Sequence, residues 1–348
     1  MESIYVIEPG VYLRRDGECL RIFKGTESIG EIPLKNLKKL TLIGYVSLSG
    51  GVLDFLIQNR IETVFMTPTG RFRARLALDE HRHVELRKAQ YVKLSEPGFE
   101  LRTARTIVAG KTRNMANFLL LRARQYGVDE LRRYAVALKS MSRYCSSVND
   151  LEKLRGIEGN ASRIYFEAFP MLIINPLFEF RGRNRRPPLD PVNAMLSFVY
   201  TMLTNEVLSA INACGLDPYL GSLHAVAYGR PSLACDLVEE YRTFMGDRLV
   251  LTLLNRKVVS PDDFVYRENK CKNYVDEEEM KAKRPVEMKP EVCRAFIGAY
   301  EKMMAKGISY GPQGRITSYR MLILHQVRSF ARYLINEEQE YKPFLWER

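Results

Sequence analysis

One histidine and three nearby acidic residues have the types and spacing of a divalent-metal site. His224 precedes a glycine and proline turn, and the helical segment after that turn carries Asp236, Glu239 and Glu240. Because Asp236 and Glu239 are three residues apart, both project from one face of that helix. Together with the histidine they can converge on one ion. A solvated acidic helix face with the histidine packed nearby is the alternative, and the spacing alone leaves both open.

Another carboxylate stands among small residues in the segment 154–169, LRGIEGNASRIYFEAF. Gly156 and Gly159 flank Glu158, and small neighbours let a ligand or another backbone approach a carboxylate closely. A surface glutamate beside a packing glycine is the alternative. Carboxylates together with an imidazole suit Mg²⁺ or Mn²⁺, and the histidine favours Mn²⁺.

The net charge is strongly positive and unevenly distributed. The chain has 348 residues with 53 Lys and Arg against 41 Asp and Glu, a net charge of +12. Residues 1–86 hold 12 basic and 11 acidic side chains, about +1, which leaves about +11 for the remainder. Such a field attracts polyanions such as nucleic acid or an acidic membrane, and a merely soluble basic surface is the alternative. The length and the 46% share of hydrophobic residues exclude a short stapled peptide and a disordered chain.

A divalent-metal site inside a basic region favours phosphodiester chemistry. A bound ion can polarise a phosphoryl oxygen and orient a water or a 3′-hydroxyl for in-line attack, so no protein nucleophile is needed. The sequence contains no Gly-x-Ser-x-Gly motif and no glycine-rich phosphate loop ending in Lys-Ser/Thr. The absence of both motifs is consistent with transesterification or with hydrolysis by water.

Clustered arginines are candidate contacts to a nucleic-acid backbone. In a loop they predict binding that weakens strongly with salt, and a flexible basic linker is the alternative. Two further arginines on the last predicted helix are assigned the same role from their charge. The candidates are Arg181, Arg183, Arg185 and Arg186 in the loop before residue 190, and Arg320 and Arg328 on the helix.

The elements that must position these residues change in type near residue 80. Short β-branched and aromatic runs separated by turns predict strands at 3–7, 11–14, 20–24, 28–32, 39–43, 63–66 and 72–76, with a helix at 50–59. Amphipathic periodicity then predicts helices at 85–95 and 100–126. Asp190-Pro191 predicts an N-cap for a helix ending near residue 215, Ser232 is the predicted cap of another, and a third spans 317–335.

These elements predict an α+β protein, with a small β-rich N-terminal domain followed by a larger all-α catalytic domain. We place the β-rich domain at residues 1–80, a linker at 81–90 and the all-helical domain at 91–348. The two predicted domains therefore differ in net charge as well as in structure.

The sequence carries little evidence of targeting, membrane insertion or disulfide bonds. The sequence begins without the pattern of a signal peptide, and the apolar stretch 194–208 is interrupted by polar residues, so we expect no membrane span. The six cysteines form no Cys-x-x-Cys pair, which favours free thiols in a reducing cytosol. His81 and His83 are expected to be solvated in the linker, and His325 to pack within a helix.

Four segments of the sequence are similar to motifs of a known family. The chain resembles the CRISPR-associated adaptation integrases, the Cas-one family, over essentially its whole length. The resemblance rests on GIEGNASRIYF, RRPPLDPVNAMLSFVYTMLTNEVLSAINACGLDPYLGSLH, RPSLACDLVEEYR and SYRMLILHQVRSFARYL, which occur in the family's order.

The resemblance implies a metal-dependent DNA endonuclease and integrase that inserts captured foreign DNA fragments, the spacers of antiviral CRISPR defence, into the CRISPR array. It implies Glu158, His224 and Glu239 as catalytic and metal-binding residues for Mg²⁺ or Mn²⁺, with Asp236 as a supporting acid. The second ligand acid here is glutamate, where some members have aspartate. The resemblance also implies double-stranded DNA as substrate, a homodimer formed through the β-rich domain, the Cas-two partner protein, and a cytoplasmic protein with no membrane association.

Two other functions stay open from the sequence. A structure-specific nuclease acting on branched DNA in repair would have the same metal site without an integration role. A non-catalytic DNA-binding scaffold would keep every measured activity after loss of Glu158 or His224.

Overall fold

Eight short strands and one helix form the N-terminal region. The computed structural model describes residues 2–68, 70–76, 83–184, 187–266, 285–311 and 314–346. The elements of this region, in chain order, are β1 Glu2–Val6, β2 Tyr12–Asp16, β3 Cys19–Lys24, β4 Glu27–Pro33, β5 Leu37–Ile43, β6 Ser47–Leu48, α1 Gly50–Gln58, β7 Glu62–Met66 and β8 Phe72–Arg75. They confirm the predicted strands and helix and add β6.

These strands form two four-stranded sheets. One has the order β1-β5-β7-β8 and the other the order β4-β3-β2-β6. In the first sheet β5 pairs in parallel with both β1 and β7, and its residues are nearly all buried, as expected for a central parallel strand. Leu13 and Leu20 of the second sheet share a core with Leu40, Val52 and Leu56, so α1 and both sheets contribute to one hydrophobic interior.

Helices follow, and those predicted at 85–95, 100–126 and 190–215 are confirmed, whereas Ser232 is the first residue of its helix and Pro231 is the cap. The helices are α2 Val84–Ser95, α3 Pro97–Tyr126, α4 Asp129–Tyr144, α5 Leu151–Ala168, α6 Pro191–Ala213, α7 Ser232–Val238, α8 Arg248–Asn255, α9 Pro290–Met304 and α10 Tyr319–Leu334. Asp190 accepts a hydrogen bond from the backbone N–H of Asn193 at 2.8 Å, which confirms the predicted cap of α6. Short 3₁₀ helices span Cys145–Ser147, Phe169–Leu172 and Pro261–Asp263, and a π-helix spans Arg242–Asp247.

The expectation of an all-helical C-terminal region is wrong in one respect: the region is largely helical, and its described residues also include two antiparallel strand pairs. Strands β9 Phe264–Tyr266 and β10 Val286–Met288 form one, and β11 Gly307–Tyr310 and β12 Arg315–Ser318 form the other. The predicted helix 317–335 therefore begins two residues later, where the Ser318 side chain caps it by accepting from Met321 N. Strands this short depend on pairing with a partner strand, which local periodicity does not reveal.

The chain divides into two compact units, and each unit is built from three separate segments of the sequence. One comprises residues 1–81, 187–201 and 262–297, and the other residues 82–186, 202–261 and 298–348. The residues of the candidate site all belong to the second unit.

Helix α6 is, among the described residues, the one helix long and apolar enough to cross a membrane by length and composition. In its most apolar window 72% of residues are buried inside the protein, which is typical of a core helix. The five cysteines within the described ranges are free thiols, and Cys271 lies outside those ranges.

Candidate metal centre

Glu158 and Glu239 meet at a buried lysine. Glu158 lies in the middle of α5, whose N-terminus is capped by the Asp150 side chain, and Glu239 follows the last residue of α7. Lys111 of α3 forms ion pairs with both carboxylates, with Nζ 2.8 Å from Glu239 Oε2. The side chains of Lys111, Glu158 and Glu239 are 4%, 23% and 1% exposed. Two acids from separate elements therefore converge on one buried positive charge.

A second cation completes the surroundings of Glu239. Arg242 Nη1 lies 2.5 Å from Glu239 Oε1, one turn further along the chain. Burial alone raises the pKa of Glu239, but Arg242 and Lys111, with a smaller contribution from His224, outweigh burial and hold it at about 2. Glu239 is thus an anion at neutral pH, and the His224 ring is close enough to act on it electrostatically.

Asp236 holds the loop that carries His224. Its carboxylate is fully buried, and Oδ2 accepts hydrogen bonds from Ser222 N at 2.6 Å and Leu223 N at 2.9 Å. Its Oδ1 accepts from His224 N at 2.9 Å and lies 2.7 Å from His224 Nδ1. A Cβ atom at Gly221 would lie 2.4 Å from Oδ2, so only glycine fits there. Asp236 thereby orients the imidazole and leaves its Nε2 for another partner.

Helix α5 is tied to the same loop. Arg155 Nε donates to the carbonyl oxygen of Leu223 at 2.7 Å, and Arg155 lies one turn before Glu158. This bond holds the helix of one candidate ligand against the loop of another. The structure therefore brings Glu158, Glu239 and His224 into one neighbourhood.

Among the residues that the structure describes, no three acidic, histidine or cysteine side chains lie together as a preassembled metal-ligand group. The reason is visible in the contacts: Lys111 stands between the two glutamates, and His224 turns Nδ1 towards Asp236. The donor set nevertheless fits a divalent cation. Glu239 Oε2 has its ion pair with Lys111 but, within the described residues, no aligned hydrogen bond. Two carboxylates and an imidazole match the preferences of Mg²⁺ and Mn²⁺.

A groove runs along α5 beside Glu158. It has a volume of about 670 Å³, and its lining includes Gly159, Ser162, Arg163, Arg181 and Arg183. The Ser162 hydroxyl donates to Glu158 Oε1 at 3.2 Å, so the groove reaches the candidate ligand. Arg163 is paired with Glu167 and Arg181 with Glu179, so part of the positive charge in the groove is neutralised.

The predicted DNA-binding arginines have different surroundings. Arg181 is exposed and pairs with Glu179 at 2.7 Å, and Arg183 donates to the carbonyl oxygen of Asn184. Arg328 is exposed on α10, whereas Arg320 is 19% exposed and forms ion pairs with two glutamates. Arg185 and Arg186 lie outside the described residues.

We expect Arg320→Ala to lower the free energy of unfolding by about 3 kcal/mol. Arg320 Nη2 lies 3.1 Å from Glu206 Oε1 and 2.8 Å from Glu301 Oε1. Burial opposes the charge of Arg320, but these two glutamates outweigh it and raise its pKa. Removing the guanidinium leaves both acids without this cation. Urea denaturation measures the effect, with Arg328→Ala on the same helix as the control, expected to change stability by at most about 0.5 kcal/mol. Equal stability of Arg320→Ala and the wild type, with weaker DNA binding, would instead favour a DNA contact.

Sequence reasoning missed Lys111, Arg155 and Arg242. Lys111 falls between Ile107 and Met115 at four-residue spacing, and all three are buried on α3. A lysine within a buried apolar stripe of a helix could have indicated a buried acidic partner, because an unpaired lysine is almost never fully buried.

His83 and His325, the other histidines that the structure describes, do not join the site. His83 packs against Gly215, and His325 stacks on Tyr310 with ring centroids 5.6 Å apart. His81 lies outside the described residues.

Glu240, next to the candidate ligand, predicts a pH-dependent stability. It is fully buried, and burial raises its pKa from 4.5 to about 7 against hydrogen bonds from Tyr341, Phe344 N and Gln326. The folded state therefore holds more protons than the unfolded state between these values. We expect metal-free protein to lose about 2 kcal/mol of stability from this group between pH 5 and pH 7. Urea denaturation at several pH values measures this fall in the free energy of unfolding. We expect Glu240→Gln to remove the fall and the exposed control Glu291→Gln to keep it. Identical pH profiles for Glu240→Gln and the wild type would contradict the prediction.

Comparisons with known proteins agree with the geometry. The family model of CRISPR associated protein Cas1, the Cas-one family above, matches residues 4–283. A CRISPR-associated endonuclease Cas1 of Chlorobaculum tepidum is 35% identical over 353 residues, which cover 99% of this chain and 98% of that protein.

Solved structures share the fold. A Cas1 protein from Thermotoga maritima superposes with a TM-score of 0.79 at 26% identity, covering 96% of this chain and 97% of that chain. A casposase bound to its integration product superposes with a TM-score of 0.83 at 22% identity, covering 100% and 96%, a likeness of fold alone. From the family match, the 35% identity and the shared fold, the chain belongs to the Cas1 family of CRISPR-associated endonucleases.

Proposed function

We propose that this protein integrates short DNA fragments into a CRISPR array by a divalent-metal-dependent transesterification. The observation that carries the proposal is the convergence of Glu158 and Glu239 on one buried cation position beside His224. A site of this kind stabilises charge that develops on a phosphoryl group.

Glu158, Glu239 and His224 Nε2 would hold Mg²⁺ or Mn²⁺. Such an ion, when bound, supplies Lewis acidity at a phosphoryl oxygen and lowers the charge on the reacting groups. Asp236 keeps the His224 ring in a fixed orientation through Nδ1, and Arg155 keeps the loop against α5.

The reaction exchanges one phosphodiester bond for another. A 3′-oxygen of the fragment forms a bond to phosphorus at the edge of a repeat, and the bond from phosphorus to the 3′-oxygen of the target strand breaks. The proton lost by the attacking hydroxyl is balanced by one gained by the departing oxygen. The groove along α5 supports this path, because Arg163, Arg181 and Arg183 line it and its Ser162 donates to Glu158. We assign the DNA strand to this groove.

The assembly belongs to the same proposal. Family membership supports a homodimer and an integration complex with Cas2, the Cas-two protein, around the DNA fragment, and a cytoplasmic location.

An integration assay tests the function. The protein is incubated with Cas2, Mn²⁺ or Mg²⁺, a short duplex with 3′-hydroxyl ends and a supercoiled plasmid bearing the repeat. We expect joined products, and no joined products from a matched duplex with 3′-deoxy ends. Plasmid cleavage without joining would favour the nuclease on branched DNA. Unchanged activity in chelator, or in both Glu158→Ala and His224→Ala, would favour the non-catalytic scaffold.

A further inference from the structure

A strap of residues 341–346 lies against α3, the helix that carries Lys111. Asn114 of α3 donates from Nδ2 to the carbonyl oxygen of Phe344 at 2.9 Å, and its Oδ1 accepts from Trp346 N at 2.8 Å. Asn117 donates to the carbonyl oxygen of Trp346 at 3.1 Å. The Tyr341 and Trp346 side chains are buried. The strap is therefore held to α3 by both its backbone and its side chains.

The same strap is bonded to Glu240, the neighbour of Glu239. The Glu240 carboxylate accepts hydrogen bonds from Tyr341 Oη and, at 3.0 Å, from Phe344 N. Gln326 Nε2 donates to Glu240 at 3.2 Å and to the carbonyl oxygen of Lys342 at 3.0 Å. These donors are all neutral groups on a fully buried carboxylate. Losing one leaves Glu240 less well satisfied, which a buried charge tolerates poorly.

The anchoring matters because Glu239 lies at a break between helices. Helix α7 ends at Val238, the π-helix begins at Arg242, and the intervening residues form a turn. A continuous helical ladder therefore does not fix the direction of Glu239. Insertions of π-helix are frequent at functional sites.

Helix α3 links the strap to the catalytic carboxylate. Lys111 contacts the Glu239 side chain, and Asn114, three residues on, donates to the Glu240 carbonyl oxygen at 3.0 Å. Both lie on one face of α3. The backbone of Glu240 is thus fixed from the same helix that holds the carboxylate of Glu239.

We propose that the strap positions Glu239 for metal binding through Glu240, with Tyr341 and Asn114 as positioning residues; this inference rests on the proposed function. In the turn 239–241, Glu240 contacts the strap, whereas Glu239 contacts Lys111 and Arg242. Displacing the strap frees that turn, and the two glutamates then hold a metal less well.

Gly110 offers a probe of the strap that replaces none of its hydrogen-bonding side chains. A Cβ atom at Gly110 would lie 2.6 Å from Pro343 Cγ, so alanine there forces the strap away from α3. In a helix alanine is otherwise the more favourable residue. Gly298 of α9 is the matched control, because nothing lies within 4 Å of its Cβ position.

The test measures Mn²⁺ binding to the full chain by calorimetry, with turnover in the joining assay, for Gly110→Ala, Tyr341→Phe and Gly298→Ala. We expect about tenfold weaker Mn²⁺ binding and lower turnover for the first two, an unchanged KM for DNA, and recovery of turnover at high Mn²⁺. Gly298→Ala should match the wild type in both measurements. All measurements are made well below the melting temperature of each variant.

The outcomes separate this inference from the function on which it rests. If the wild type binds Mn²⁺ and both strap variants bind it equally well, the positioning role is wrong, whatever their thermal stability. If lost turnover is not recovered at high Mn²⁺, the strap is a structural element only. If the wild type itself neither binds Mn²⁺ nor joins DNA, the proposed function fails first.

Discussion

Glu239→Gln is expected to lower the rate of strand joining at least about a thousandfold, while DNA affinity stays within about twofold. The amide keeps the size of the side chain but removes the negative charge that Lys111 and Arg242 surround. It therefore weakens the attraction for a divalent ion in a buried position where charge is poorly screened. Single-turnover kinetics measures the rate of strand joining, and calorimetry measures the affinity for Mn²⁺.

The control for this variant is Glu291→Gln. Glu291 is an exposed acid on α9, so its loss changes the net charge equally and removes none of the contacts described for the site. We expect its joining rate to match the wild type. A Glu239→Gln protein that still bound Mn²⁺ normally and joined DNA would show that the metal lies elsewhere.

The sequence contained enough local information to predict most elements and the neighbourhood of the site. Short β-branched and aromatic runs identified the strands of the β-rich region, and Asp190 marked the start of α6 because capping depends on adjacent residues. Glu158 and His224 were found through their small neighbours and turn residues, which are also local features. The role of these residues as metal ligands stays a prediction.

What the sequence did not reveal depends on distant pairings. The apolar spacing of Leu233, Leu237, Tyr241 and Phe244 predicted one helix, yet α7 stops at Val238. The acids at 239 and 240 are buried there and take partners from α3, α10 and the strap, and these contacts accompany the change to a turn. In the same way, periodicity showed Asp236 facing the same side as Glu239, but not that backbone amides of 222–224 surround it.

Electrostatics also explains why a lysine lies where a metal ligand group was expected. Two carboxylates brought together in a buried site repel each other unless a cation lies between them. Lys111 supplies such a cation. A metal ion that binds both carboxylates would therefore have to compete with the ammonium group.

Lys111→Met tests this competition and should have two opposite effects. Methionine keeps much of the length of the side chain but leaves Glu158 and Glu239 without their shared cation, so we expect the metal-free protein to lose about 4 kcal/mol of stability. The same loss removes the competitor, so Mn²⁺ should bind about tenfold more tightly than to the wild type, a gain of about 1.4 kcal/mol. Because a ligand that binds only the folded state stabilises it, saturating Mn²⁺ should raise the melting temperature of the variant more than that of the wild type. Melting curves with chelator and with Mn²⁺, together with calorimetry, measure both effects. Weaker or unchanged Mn²⁺ binding would mean that Lys111 supports the metal-bound site rather than standing in for the ion.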